Sequence, residues 1–143
     1  MYSFFKFLDG TNSLREIKNK YGLTDDTLLE LLDTLKDEGI IYENNPSGFT
    51  KEETEFYSRA INFYAWIDIN GKYYNYWDVQ RKLKKSKVLV LGCGGTGSNT
   101  AVNLTRMGIG NIDILDMDTV EISNINRQYF EYNDVGEKKV GKL

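Results

Sequence analysis

The sequence contains no histidine, which removes every mechanism that turns on an imidazole: no Ser-His-Asp or Cys-His unit and no histidine metal ligand. Its one cysteine, Cys93, permits neither an internal disulfide nor a paired-cysteine zinc site. Cysteine poverty suits a reducing compartment, and a cytoplasmic location is expected. No stretch approaches the roughly 18 apolar residues of a membrane span. The amino terminus, apolar for only a few residues, lacks the basic segment and long apolar core of a signal peptide. A net charge of -3 and a pI near 5.1 point away from nucleic acid and anionic membranes as partners. What is present is 143 residues, 41% hydrophobic and 27% charged, the balance of a soluble chain of one domain or two small ones.

Three segments are expected. Residues 1–50 read as helix, turn, helix and hairpin, a winged-helix order. Ser13 can cap a helix carrying Leu14, Ile17 and Tyr21 on one face, and Gly22 ends it. Thr24 caps a second helix with Asp25 and Asp26 in its first turn and Leu28, Leu31, Leu32 and Leu35 at helical spacing. Gly39 stands at its end, Ile40–Tyr42 predicts a short strand, and Phe49–Lys51 its return after a turn at Asn44–Gly48. This segment holds five Lys/Arg against nine Asp/Glu, net -4, and its second helix would present carboxylates to phosphates. Docking of a protein or peptide is therefore expected in place of DNA, with a purely structural cap as the alternative. Residues 51–86 are an aromatic-rich helical connector, with Phe56, Ala60, Phe63 and Ile67 in line and a second amphipathic helix over Tyr76–Lys85. Residues 87–143 begin a Rossmann-like, doubly wound α/β domain: strand 87–91, helix 98–107, strand 111–115. The apolar run of the first strand predicts burial on both faces.

The chemistry concentrates after residue 91. Gly92-Cys93-Gly94-Gly95-Thr96-Gly97 lies between a strand and a helix, where glycine lets backbone amides approach phosphates. Gly92, Gly94, Gly95 and Gly97 are the phosphate-loop candidates. Asp116 follows by 19 residues, at a strand end, and can accept hydrogen bonds from both ribose hydroxyls. Asp118 faces the same way if the strand continues. Asn124 can bond phosphate or ribose. Arg127 offers a fork for phosphate oxygens, and Lys139 adds a second cation. Two cations near one glycine loop suit a triphosphate better than the pyrophosphate of a dinucleotide.

These motifs, Val88–Gly97, Leu115–Val120, Ser123–Gln128 and Val135–Lys139, together resemble the ThiF/MoeB/HesA family, bacterial relatives of the ubiquitin-activating enzymes. The resemblance spans residues 56–143. It implies adenylation of the C-terminal carboxylate of a protein or peptide, with ATP and Mg2+ as cofactors and a homodimeric enzyme. It assigns Gly95 to the phosphates, Asp116 to the ribose, and Asn124, Arg127 and Lys139 to the phosphates or transition state. Tyr57-Ser58-Arg59-Ala60-Ile61 looks like the family's entry helix, whose arginine reaches ATP in the other subunit. Arg59 would thus act in trans, although Ala60 replaces the usual glutamine. Residues 8–41 are similar to PqqD-like domains, which bind the leader peptides of ribosomally made, modified peptides. That favours a precursor peptide as substrate. A small ubiquitin-like carrier, as in sulfur activation for thiamine or molybdopterin, and a non-catalytic docking role are the alternatives. The family's later Mg2+-binding aspartate has no counterpart here, and no metal ligand is expected within this chain. The expectation is a fragment of a longer or split enzyme, inactive alone.

Overall fold

The computed structural model describes residues 2–68 and 70–143. The chain falls into two compact units, Met1–Val79 and Gln80–Leu143, the division lying inside a helix.

In the first unit the two expected helices form with their expected caps. Helix α1 (Tyr2–Phe7) precedes α2 (Leu14–Tyr21) and α3 (Asp25–Asp37). At α2 the Ser13 hydroxyl accepts the Glu16 N–H, and the Glu16 carboxylate accepts the Ser13 N–H at 2.7 Å. Gly22, at φ 64°, closes it in the left-handed conformation that glycine adopts without strain. Ile17, Leu28 and Leu35 are buried, whereas Leu14 stays exposed. Helix α1 carried no periodic signal because it is one and a half turns long. Packing of Phe4 and Phe7 against Tyr21, at 5.0 and 6.0 Å between ring centres, accounts for it.

The expected hairpin is absent. The Ile40 and Ile41 amides both donate to the Leu35 carbonyl, finishing α3, and Glu43 makes one isolated parallel bridge with Asn75. Thr50 caps helix α4 (Lys51–Ile67) in a reciprocal pair with Glu53, so the residues expected to return as a strand start a helix. Side chains hold the preceding segment: the Trp77 indole donates to Asn44 at 2.7 Å and the Asn75 amide to the Asn45 carbonyl at 3.2 Å.

The inward face of α4 also differs from expectation. Ile61 is buried with Tyr76 and Trp77, flanked by Tyr57, Tyr64 and Ala65. Phe56, Phe63 and Ile67 are exposed, as is Trp66. An aromatic-rich helix offers two apolar stripes, and packing on Tyr76 and Trp77 selects between them. Of the connector's aromatics, Tyr76 and Trp77 thus form a buried cluster of the first unit with Ile61.

Helix α5 (Trp77–Lys85) leads to β1 (Lys87–Leu91), α6 (Gly95–Arg106) and β2 (Asn111–Leu115). The strands pair in parallel, with Lys87 opposite Asn111 and Leu91 opposite Leu115. Val90 of β1 and Ala101 of α6 are buried. On the opposite sheet face Leu89, Leu91 and Leu115 are 60%, 70% and 65% exposed, so the strand expected to be buried on both sides alternates. A second small core of Cys93, Val120 and Phe130 seals the glycine turn from below. Gln80, fully buried, donates its side-chain amide to the Met107 carbonyl at 2.9 Å and anchors the end of α6.

Gly110 sets the entry to β2: a Cβ there would lie 1.8 Å from the Lys84 carbonyl oxygen. Gly110→Ala should therefore cost about 1–3 kcal/mol or more, against about 1 kcal/mol for loss of the Ser13 cap in Ser13→Ala. Denaturant unfolding of both variants beside the parent chain checks that ranking.

Candidate functional site

The site starts where β1 ends. The Gly92 amide donates to the Leu115 carbonyl at 2.8 Å, extending the ladder by one residue, and φ of 93° then turns the chain away. Helix α6 begins at Gly95, three residues before the expected Ser98. The reason is steric. A Cβ on residue 97 would fall 1.7 Å from the Gly92 carbonyl oxygen, so only glycine lets the first helical turn close onto the strand end. Gly95 and Gly97 are helical residues as a result. Gly94 caps the helix without a side-chain acceptor, and no acidic residue occupies the first turn. The amides opening α6 therefore present uncompensated partial positive charge, the arrangement that receives phosphate.

Asp116 stands beside this turn with both oxygens engaged. Oδ2 accepts the Cys93 N–H, and Oδ1 accepts the Asp118 N–H at 2.8 Å. Those two bonds, the Cys93 one foremost, hold its carboxyl below the ordinary aspartate value. β2 stops at Leu115, so Asp116 and Asp118 do not continue the strand as the same-side reading required. Asp116 is at once a brace for the turn and a partly exposed acceptor, since a carboxylate has about four acceptor sites.

Lys139 is brought back by main-chain pairing. Val120 N–H donates to the Glu137 carbonyl, Gly136 N–H to the Val120 carbonyl, and Lys139 N–H to the Asp118 carbonyl. The Lys139 side chain is buried at 7% exposure, and its ammonium meets Asp118 Oδ2 at 3.2 Å. Its charge also helps to lower the Asp116 carboxyl. Cys93 is fully buried in the small core, and burial pushes its thiol up, which suits packing and not nucleophilic attack.

Arg127 lies on the other side of the turn. Its Cγ and Cδ are each 3.7 Å from where a Gly95 Cβ would stand, so the side chain crosses the start of α6. Its guanidinium donates to the Ser123 carbonyl and to Asn126 Oδ1. Asn99, which sequence reasoning passed over, fastens this loop to the helix: its amide donates to the Gly95 carbonyl at 2.6 Å and to the Arg127 carbonyl at 3.1 Å. An asparagine one turn into a glycine-opened helix was the available signal. Asn124 is buried, its Oδ1 accepting the Glu121 N–H at 3.1 Å, so its side chain shapes the loop. Gln128, also missed, is buried with its Oε1 unpartnered. Gly92, Gly94, Gly95 and Gly97 form this helix start, Arg127 crosses it and Asp116 braces the turn, while Asp118 joins through Asp116 and Lys139 through Asp118. Arg59 belongs to the first unit, exposed on α4.

Asp116 carries a stability prediction. Its lowered value means that its bonds stabilise the fold above the ordinary aspartate range, a contribution lost as pH falls through the depressed value. Asp116→Asn should be less stable than the parent at neutral pH, and the gap should narrow through the acid range. Thermal unfolding of both proteins across pH measures this.

Comparison with known proteins agrees with this geometry. The ThiF family profile matches residues 57–142. The catalytic subunit of the NEDD8-activating enzyme E1 of Dictyostelium discoideum is 54% identical over 54 residues, 37% of this chain and 12% of that protein. The probable adenylyltransferase/sulfurtransferase MoeZ of Mycobacterium tuberculosis is 36% identical over 94 residues, 65% of this chain and 22% of that protein. Among solved structures, PaaA superposes with a TM-score of 0.69 at 33% identity, over 95% of this chain and 42% of PaaA. E. coli MccB with ATP gives 0.62 at 29% identity, over 96% of this chain and 39% of MccB. The chain thus spans less than half the length of each of these proteins. With the profile covering more than half of its residues, the chain belongs to the ThiF family.

Proposed function

We propose that this chain supplies the nucleotide-gripping part of an ATP-dependent adenylyltransferase that activates the C-terminal carboxylate of a peptide or small ubiquitin-like protein. The observation that carries the reading is the crossing of Arg127 over Gly95 at an uncapped helix start, with Lys139 returned to the same turn. Attack of a carboxylate on the α-phosphorus brings two anions together and expels pyrophosphate. Catalysis then rests on positioning and positive charge, with no protein nucleophile. In this reading the amides of Gly95 to Gly97 cradle the triphosphate, and Arg127 turns its fork from the Ser123 carbonyl onto phosphate oxygens. Lys139 shares its ammonium between Asp118 and the nucleotide. Asp116 uses its free acceptor sites for the ribose, and Asn124 acts by shaping the Arg127 loop. Mg2+ belongs to the same proposal and would be held by the triphosphate with one or two carboxylates.

A precursor peptide is the substrate we favour, because PaaA and MccB align over both units of this chain and MccB has been solved with the peptide MccA. The first unit would be its docking module, resting on capped helices without the hairpin of a winged helix. A sulfur-carrier substrate is the second reading, favoured by the similarity to MoeZ. A homodimer also enters the proposal. Arg59 shares the outer side of α4 with Phe56, Phe63 and Trp66, an exposed apolar patch suited to a second copy from which Arg59 would reach ATP in trans.

Arg127→Ala should weaken ATP binding about 10- to 100-fold, the loss of one or two charge-assisted hydrogen bonds. Isothermal titration of the chain with ATP reads it, with the unfolding midpoint as a control for the fold. In the complete enzyme, carboxylate-dependent ATP–pyrophosphate exchange should fall with it. Near-parental values in both assays would take Arg127 out of the site. For the dimer, Trp66→Glu should shift sedimentation toward the monomer, and an unchanged profile would remove α4 from the interface.

A further inference from the structure

The first unit contains a cavity of about 320 Å³ that the adenylation chemistry does not use. It lies between the end of α3, the extended segment after it, and residues 71–76. Tyr42, Tyr73, Tyr74 and Tyr76 wall it, with Lys36 and Asp37 at its rim. Two glycines line it. Gly39 and Gly71 both hold left-handed backbone, φ 66° and 60°, and a Cβ on Gly71 would stand 4.0 Å from the Gly39 Cα. The tyrosines are fixed in place. Tyr42 meets the buried Tyr76 edge to face at 5.0 Å, and the Glu43 amide donates to the Tyr74 carbonyl at 2.8 Å.

A cavity walled by four tyrosines is neither a plain apolar slot nor an anion site. Aromatic faces carry negative potential and attract ammonium and guanidinium groups. This wall already does so: the Lys36 ammonium rests 4.1 Å from the Tyr74 ring centre. The cavity lining carries one cation, Lys36, and one anion, Asp37, in a unit that is acidic overall. Residues 1–79 carry eight Lys/Arg and fourteen Asp/Glu, a formal net of -6, whereas residues 80–143 carry ten and seven, a net of +3. Asp37 places one of those carboxylates at the rim.

We propose that this tyrosine-walled cavity is the seat for an arginine or lysine side chain of the peptide partner, with Lys36 as the tethered group that the incoming cation displaces from Tyr74. The proposal deepens the peptide-docking reading given above and rests on it. The chemistry specified is a basic side chain entering a π-faced pocket with a carboxylate at its mouth.

The test uses the whole chain labelled with 15N and three probes: acetyl-Gly-Arg-Gly-amide, the same peptide with norleucine, and the same with glutamate. The arginine probe should shift signals at Gly39, Tyr42, Gly71 and Tyr74 and bind about 3- to 10-fold more tightly than norleucine, as expected for cation–π contact plus a rim carboxylate. Asp37→Asn should weaken the arginine probe, and Lys36→Met should tighten it. Equal binding of arginine and norleucine, preference for glutamate, or no response at these positions overturns the proposal. So does an arginine affinity that neither substitution changes. A parallel ATP titration separates the two readings. ATP binding without arginine binding sinks the cavity proposal alone, and arginine binding without ATP binding sinks the adenylation reading alone.

Discussion

The carbonyl oxygen of Gly92 leaves room for nothing but a hydrogen on the α-carbon of residue 97. From that contact the arrangement of the second unit follows. Because α6 closes directly onto the end of β1, its opening amides face outward with no side-chain cap. Because the turn is so tight, Cys93 is driven inward against Val120 and Phe130, and its amide points to Asp116. The carboxylate that answers that amide also receives the Asp118 amide, which starts the loop leading to Arg127 and Lys139. A larger residue at position 97 would open the turn and misalign all of these at once.

Two fastenings then bring cations to a helix start that already carries partial positive charge. One is the main-chain pairing of residues 118–120 with 136–139. The other is Asn99, which joins the Arg127 carbonyl to the first turn of α6. Like charge gathered in one place is unfavourable without a counter-charge, and the chain supplies temporary ones. Lys139 is held by Asp118, and Arg127 by carbonyl and amide oxygens of its own loop. In the proposed adenylation reading a triphosphate would take over Arg127 from its loop oxygens and share Lys139 with Asp118, so the resting contacts keep both cations oriented.

Charge is divided between the units in a way that suits two ligands of opposite sign. Residues 1–79, which hold the tyrosine-walled cavity, carry a net -6, and the net +3 of residues 80–143 includes the cations of the glycine turn. A basic peptide and a polyphosphate would each find a complementary surface in a different unit.

By itself the sequence determined much of what is local, although the Thr50–Glu53 cap was expected as strand. Ser13, Thr24 and Gly22 mark helix ends because a hydroxyl cap and a left-handed glycine act within four residues of the chain. The strand, glycine turn, helix and strand of residues 87–115 were legible for the same reason, and the resemblance to the ThiF family rests on those short ordered motifs. Tertiary structure decided what depends on partners distant in the chain. It chose Ile61 over Phe63 as the inward residue of α4, since Tyr76 and Trp77 lie some fifteen residues further on. It replaced the expected hairpin with segments tied by Asn75 and Trp77. It also moved the start of α6 to Gly95, because the fit of Gly97 against Gly92 is a contact between backbones that no propensity scale records.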